Sequence, residues 1–157
     1  MNKKIFTLSV LVFVIDQIVK GILSAVLILN KDYIIIKNFF AITLVNNTGG
    51  AWSILSNMSV VLIIGTIIAL VIIYKYMYSF VMNKRNTIAF GLLTGGILGN
   101  LANRILQGYV VDFLNFNFFG YDFPVFNIAD ICIVIGILLL IYAIIKGEDK
   151  IANKSKK

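Results

Sequence analysis

The sequence predicts an all-α membrane protein, with four transmembrane helices and a small extracytoplasmic β-rich loop region. Of the 157 residues, 60% are hydrophobic and 13% are charged, a composition far from that of a soluble globular domain. Apolar residues concentrate in four segments that are each long enough to span hydrocarbon as a helix, and Lys and Arg cluster beside them. Because the length leaves room for about four spans of roughly 20 residues and short loops, we expect a single membrane-embedded domain over residues 1–157.

The four predicted helices cover residues 5–29, 60–78, 87–106 and 128–145. The first begins after a basic start, as a secretory signal does, but we predict that it is retained because Asp16 and Lys20 interrupt its apolar core. The third carries glycines at four-residue spacing, a stripe that lets another helix approach closely. These glycines are Gly91, Gly95 and Gly99.

The basic residues predict how the helices are oriented. Most of them lie before the first segment, between the second and third, and after the fourth, whereas the two opposite loops hold only Lys31 and Lys37. Because cytoplasmic loops carry the excess of Lys and Arg, both termini should face the cytoplasm. The Lys-rich tail, 146–157, is expected to lie on the anionic inner leaflet.

The two loops on the outer side differ in character. The first, residues 30–57, contains β-branched and aromatic runs at 33–36 and 39–45, which favour strands. The second, residues 108–127, is rich in Phe and Tyr, which suits the interfacial layer of a membrane. We therefore expect a small sheet resting on the membrane surface and an aromatic loop that dips into the headgroups.

Composition excludes several kinds of chemistry. The chain has no histidine, so Ser-His-Asp and Cys-His mechanisms and imidazole-ligated metal sites are impossible. The single cysteine, Cys132, lies in an apolar run, where it is expected to pack as a small hydrophobe. The net charge of +7 follows the membrane topology rather than a basic stripe on a polar fold. We expect no metal, no cofactor and no nucleic-acid partner.

Ionisable residues within or beside the predicted spans need a reason, because a charge at the bilayer centre costs about 2.5–3.5 kcal/mol. Asp16 and Lys20 are four residues apart with the acid first, the order that best supports an ion pair within one helix. Direct ordering of catalytic carboxylates by Asp16, or of a backbone carbonyl by Lys20, remains an open alternative. Arg104 lies towards the outer end of the third helix.

Asp112 follows the outer end of the third helix and Asp130 lies near the outer start of the fourth, so antiparallel packing would place both at similar depth. If the two carboxyls meet, like-charge repulsion favours one shared proton, and the pair can deprotonate a water while protonating a peptide oxygen. That is aspartic protease chemistry. A helix-end charge and a cation site remain alternatives, since the separation along the chain permits contact without requiring it.

Five ordered motifs carry a more specific signal. They are DQIVK at 16–20, NTGGAW at 47–52, GNLANR at 99–104, GYVVDF at 108–113 and FNIAD at 126–130. In order and spacing they resemble bacterial lipoprotein signal peptidase, also called signal peptidase II, and the resemblance covers nearly the whole chain. Two departures stand out, because the family usually has Asp where this chain has Asn103, and commonly Ala where it has Gly50. Asn103 continues the glycine stripe, so we expect it to face a helix partner and keep a hydrogen bond.

The resemblance implies an aspartic endopeptidase of the bacterial cytoplasmic membrane with its active site on the outer side. It would act on diacylglyceryl-modified prolipoproteins and remove the signal peptide by cutting before the lipidated cysteine. Its partners would be these precursors and membrane lipids, it would need no cofactor, and we expect a monomer. Asp112 and Asp130 match the catalytic dyad. The following residues match positions that bind substrate or support the site: Asn47, Gly49, Asn100, Arg104, Asn127, Ala129, Asp16 and Lys20.

Two other functions compete with this one. A small proton- or cation-coupled transporter would use the intramembrane Asp16 and Asp130 as exchanging groups. A non-enzymatic helper subunit would use the glycine stripe and the polar residues for helix association only. At a single position, Asn127 can equally be the N-cap of the fourth helix, a role compatible with support of the site.

Overall fold

Four long helices and a four-stranded antiparallel sheet form the protein. The computed structural model describes residues 2–50 and 54–149. In chain order the elements are α1 (Lys3–Val26), β1 (Asp32–Ile36), β2 (Phe40–Asn47), α2 (Ser59–Met77), α3 (Lys84–Gln107), β3 (Val110–Phe118), β4 (Tyr121–Asp122) and α4 (Ile128–Ile145). All four predicted helices are confirmed, with their ends within three residues of the predicted ones.

Helix α3 lies at the centre of the helices and packs against α1, α4 and, less extensively, α2. Its glycine stripe faces α1, where the backbone of Gly91 meets Leu8 and that of Gly99 meets Asp16. On another face of α3, Gly96 lies against the backbone of α4 at Ala129. The predicted packing role of the stripe is therefore confirmed, and small residues set the distance between α3 and both of its main neighbours.

Three of the helices, α1, α2 and α4, are long and apolar enough to cross a membrane, within the residues that the structure describes. Most of their large apolar side chains point outward, as a lipid-facing surface requires. The central helix α3 does not meet this criterion, so the predicted count of four spans is supported for three helices. The reason is that α3 is enclosed by its neighbours and carries buried polar residues, such as Asn86, Asn100 and Asn103, in place of an apolar surface.

The sheet corrects the predicted all-α class. Its strands run in the order β1-β2-β3-β4, with antiparallel pairs throughout. The strands β1 and β2 lie where the first outer loop was predicted to form them. The second outer loop was expected to be an aromatic loop, but it forms β3 and β4, and β3 pairs with β2 from Asn47↔Val110 to Phe40↔Phe116. Sequence alone missed this pairing because it joins two segments more than 60 residues apart.

Hydrogen bonds define both ends of α3, the end next to the sheet and the opposite end. Gly108 ends α3 in the left-handed region with φ 80°, and its N–H donates to the Arg104 carbonyl. This turn sends the chain directly into β3. At the other end, the Glu148 carboxylate accepts from the side chains of Asn83, Arg85 and Asn86, which ties the start of α3 to the end of α4.

Close helix packing at Gly95 yields a direct test. A Cβ there would lie 2.7 Å from the Ser9 carbonyl oxygen and 2.7 Å from Val12 Cβ. Gly95→Ala should therefore force α1 away from α3 and lower the free energy of unfolding by about 1–3 kcal/mol, the usual cost of overpacking. Gly65→Ala is the matched control, because a Cβ at Gly65 on α2 meets nothing within 4 Å. Thermal unfolding of both variants in detergent should show a lower Tm for Gly95→Ala alone, and equal Tm values would contradict the packing argument.

Candidate active site

Asp112 and Asp130 line one cavity of about 500 Å³ between the sheet and α4. Asp112 lies on β3 and is only 3% exposed. Asp130 is in the first turn of α4 and is partly buried. They come together because β3 follows α3 directly, and the segment after β4 returns to β3 through hydrogen bonds between Leu114 and Phe126 before α4 begins.

Asn127 contacts both carboxylates. Its side-chain amide donates to Asp112 Oδ1 at 2.6 Å, and its backbone N–H donates to Asp130 Oδ2 at 3.0 Å. The Asn127 Oδ1 atom accepts from the backbone N–H of Asp130, which completes a capping box at the start of α4. The predicted N-cap is confirmed, and the same residue joins the strand that carries one aspartate to the helix that carries the other.

Each carboxylate has a second amide donor from a different element. Asn47, at the end of β2, donates to Asp112 Oδ2 at 2.9 Å, and Asn100 on α3 donates to Asp130 Oδ1 at 2.8 Å. Asn100 Oδ1 in turn accepts from the Asn127 amide. Four elements therefore converge on two carboxylates, and each carboxyl oxygen accepts one of these hydrogen bonds.

The surroundings of Asp112 favour its protonated form. Burial away from water and the nearby charge of Asp130 raise the pKa of Asp112 to about 7, against the opposing effect of the hydrogen bonds from Asn47 and Asn127. Because one carboxyl of the pair holds a proton near neutral pH, the arrangement can provide an acid and a base at the same time.

The ion pair predicted between Asp16 and Lys20 is confirmed, with Lys20 Nζ 2.8 Å from Asp16 Oδ2 and both side chains buried. Lys20 also donates to Asn100 Oδ1 at 2.8 Å, and Asp16 Oδ1 accepts from the backbone N–H of Ala129 at 3.1 Å. Neither residue hydrogen-bonds to the carboxylate of Asp112 or Asp130. Besides the Asp16 carboxylate, Lys20 donates to the amide oxygen of Asn100 and not to a backbone carbonyl. The pair instead supports Asn100 and the first turn of α4.

Arg104 and Gly49 meet at the rim of the cavity. The Arg104 guanidinium donates to the Gly49 carbonyl at 3.0 Å, and the Gly49 N–H donates to Asn47 Oδ1 at 2.9 Å. Arg104 itself lines the cavity. The backbone at Gly49 therefore links the arginine on α3 to the asparagine that contacts Asp112. Among the predicted supporting residues, Asn47, Asn100 and Arg104 line the cavity. Gly49, Lys20 and Asn127 contact residues of the lining, whereas Asp16 and Ala129 contact each other further from it.

Sequence reasoning missed two parts of this region. Gln17, noted only as a member of a motif, donates to Asp16 and to the Gly99 carbonyl and accepts from Asn103. Asn103 therefore faces α1 and keeps a hydrogen bond, as expected. The second part is the apolar wall that α4 contributes to the cavity, to which Ile131 and Val134 belong. Neither part had a signal of its own, since a glutamine and apolar residues of a predicted membrane span are unremarkable in such a chain.

Comparison with known proteins decides the family. The profile of the signal peptidase (SPase) II family matches residues 8–146. The chain belongs to the signal peptidase II family. Lipoprotein signal peptidases of Staphylococcus aureus strains JH9 and Newman are each 39% identical over 163 aligned positions, which cover 100% of this chain and 98% of the relative.

Two solved structures, both of a bacterial membrane enzyme, share the fold. The first has a TM-score of 0.81 and 38% sequence identity, and the match covers 93% of this chain and 90% of the solved chain. The second has a TM-score of 0.82 and 37% sequence identity, and the match covers 93% of this chain and 95% of the solved chain. The protein is thus a lipoprotein signal peptidase, a membrane-embedded hydrolase of the signal peptidase II family.

The raised pKa of Asp112 predicts how stability depends on pH. Between the ordinary value of 3.8 and about 7 the folded protein binds the Asp112 proton more tightly than the unfolded chain does, so this group stabilises the fold at low pH and loses that effect as pH rises towards 7. In detergent, the Tm difference between about pH 5 and pH 8 should shrink in Asp112→Asn relative to the unaltered protein. An identical difference in the two proteins would show that Asp112 titrates normally.

Asn127 allows capping to be separated from support of the site. Asn127→Ser keeps an N-cap side chain but loses the amide that donates to Asp112, whereas Asn127→Ala loses both and should cost about 1 kcal/mol more in stability. Because that amide lowers the pKa of Asp112, both variants should raise this pKa and move the fall of Tm with rising pH to higher pH. The measurement is Tm against pH, and an unshifted profile in Asn127→Ser would show that Asn127 acts as a cap alone.

Proposed function

We propose that this lipoprotein signal peptidase is an aspartic endopeptidase whose catalytic dyad is Asp112 and Asp130. The proposed reaction removes the signal peptide from a diacylglyceryl-modified prolipoprotein by cutting before the lipidated cysteine. The observation that carries the proposal is that the two carboxyls line one cavity and are joined by the single residue Asn127. Such a pair shares a proton and can activate a water.

The different positions of the two aspartates assign their roles. Asp130 lies in the first turn of α4, where the helix dipole and the Asn127 backbone N–H favour a negative charge. It therefore acts as the base that takes a proton from the attacking water. Asp112, whose pKa is raised to about 7, holds the proton that the peptide carbonyl oxygen receives as the tetrahedral intermediate forms.

The second half of the reaction returns the dyad to its starting state. The protonated Asp130 gives its proton to the leaving nitrogen as the C–N bond breaks, and Asp112 recovers its own from the hydroxyl of the collapsing intermediate. The products are a carboxyl terminus on the signal peptide and an amine on the lipidated cysteine. Asn47, Asn100 and Arg104 line the same cavity, where their N–H groups can orient substrate carbonyls or brace the aspartates.

The walls of the cavity suit a lipid-linked substrate. Phe123, Pro124 and Phe126 form one side, and Val134 and Ile135 on α4 both line the cavity and are exposed at the outer surface of the helix. The cavity therefore opens towards the surface that faces lipid, so a signal helix and its acyl chains can reach the dyad laterally from the bilayer.

The proposed topology follows from charge and from the packing of α3. We propose that α3 also crosses the bilayer, with its polar residues turned to α1 and α4, so that both termini are cytoplasmic and the dyad lies at the outer side of the bacterial cytoplasmic membrane. Each of the four carboxyl oxygens of the dyad accepts a hydrogen bond from this chain itself, so the site needs no residue of a second subunit and we propose a functional monomer. The competing transporter would need Asp16 to exchange ions, but this carboxylate is paired with Lys20 and with the Ala129 N–H.

The decisive experiment uses purified protein in detergent or liposomes with a diacylglyceryl-modified precursor. Asp112→Asn and Asp130→Asn should each reduce kcat by at least about a thousandfold, because each lacks one of the two proton-transfer groups. Asp122→Asn is the matched control, since Asp122 is exposed on β4, accepts from the side chain of Asn117 and is not among the residues that line the cavity of the dyad. Circular dichroism checks that the variants fold. Full activity in either dyad variant would contradict the assignment of Asp112 and Asp130 as the catalytic dyad.

A further inference from the structure

A separate cavity lies at the opposite end of the helices from the dyad. It has a volume of about 450 Å³ and is formed by the first turns of α1 and α3 and the residues that precede α3. Lys4 and Lys84 stand at its edge, with the polar side chains of Asn2, Asn83 and Thr87. In the proposed topology this end faces the cytoplasm, so the cavity lies at the depth of the inner-leaflet headgroups.

The charge at this cavity is not compensated by protein. Within residues 2–50 and 54–149 the two ion pairs are Lys20–Asp16 and Arg85–Glu148, so neither Lys4 nor Lys84 has an acidic partner there. The described residues that line the cavity include no Asp or Glu. The carboxylate of Glu148 accepts from the lining residue Asn83, but it is paired with Arg85. An anion that entered the cavity would therefore meet two unpaired ammonium groups.

The placement of the two lysines is unfavourable for the helices themselves. α1 and α3 have no acidic residue in their first turns, and Lys4 and Lys84 instead occupy these turns. A cation is repelled by the positive end of the helix dipole. A bound anion would relieve this repulsion in both helices at once.

Part of the cavity lining is apolar. It consists of Leu8 on α1, Ile88 on α3 and Met82, which is 39% exposed. A ligand that fits both parts of the lining has an anionic head beside the lysines and a hydrocarbon chain beside these apolar residues. This combination distinguishes a phospholipid from a free phosphate ion.

We propose that this cavity binds one anionic phospholipid of the cytoplasmic leaflet, with its phosphate between Lys4 and Lys84 and an acyl chain against Leu8, Met82 and Ile88. The lipid bridges the starts of α1 and α3, the two parallel helices that also support the first turn of α4 through Asp16 and Asn100. The proposal rests on the topology of the proposed function and does not depend on the chemistry of the dyad.

The test is native mass spectrometry of the full chain in detergent, with phosphatidylglycerol or phosphatidylcholine added. The unaltered protein should retain phosphatidylglycerol preferentially. Lys4→Gln and Lys84→Gln should each weaken its binding about fivefold, and the double variant about twenty-five-fold, the usual effect of a lysine near an anionic lipid surface. Lys75→Gln is the matched control, because Lys75 lies in the last turn of α2 on the same side of the protein but outside the cavity.

Lys84→Glu sharpens the result, because it improves the charge at the start of α3 while repelling an anion. It should keep or raise Tm in the absence of lipid and abolish the preference for phosphatidylglycerol. Equal losses in Lys75→Gln and in the cavity variants would overturn the proposal in favour of general attraction to the basic surface. The proposal would also be overturned if inorganic phosphate displaced bound phosphatidylglycerol as effectively as added phosphatidylglycerol does, because the apolar part of the lining would then contribute nothing to binding.

Cleavage of a diacylglyceryl-modified precursor in detergent separates this proposal from the previous one. The lysine variants should cut at the rate of the unaltered protein, since the dyad lies at the other end of the helices. Failure of the unaltered protein to cut, with lipid binding as described, would count against the dyad and leave the lipid site standing.

Discussion

The structure of the site depends on Asn127, which hydrogen-bonds to the two carboxylates from its side chain and from its backbone. A buried carboxyl is costly unless its oxygens find donors, and here amides provide them. Asn127 can reach both aspartates only because it is simultaneously the N-cap of α4 and a neighbour of β3 through the Val111 carbonyl. The position of the helix start and the position of the strand are therefore fixed by the same residue.

The supporting contacts extend from this point towards α1. Asn100 accepts from both Asn127 and Lys20 and donates to Asp130. A single amide group therefore connects the buried ammonium of Lys20 to the dyad. Asp16 neutralises Lys20 and also accepts from the backbone of Ala129. A network of this kind is tolerated in a low-dielectric interior because Lys20 is paired with Asp16 and the carboxyl oxygens of the dyad accept hydrogen bonds.

Close packing of the helices makes these contacts possible. Glycines on α3 bring its backbone against α1 and α4, and the Gly99 backbone lies directly beside the Asp16 carboxylate. Polar side chains can then hydrogen-bond across helices that a larger residue would hold apart. The same packing explains why α3 tolerates asparagines and an arginine that an isolated membrane span would not, and why its composition differs from that of α1, α2 and α4.

Local patterns in the sequence were enough to predict the four helices, the strands of the first outer loop, the Asp16–Lys20 pair and the cap at Asn127, because each depends on periodicity or on residues four or fewer positions apart. The ordered motifs also predicted the family. No local pattern predicted that β3 pairs with β2, that Asn47 contacts Asp112, or that Lys20 reaches Asn100. These contacts join residues 63 to 80 positions apart, and their geometry arises from the packing of whole elements.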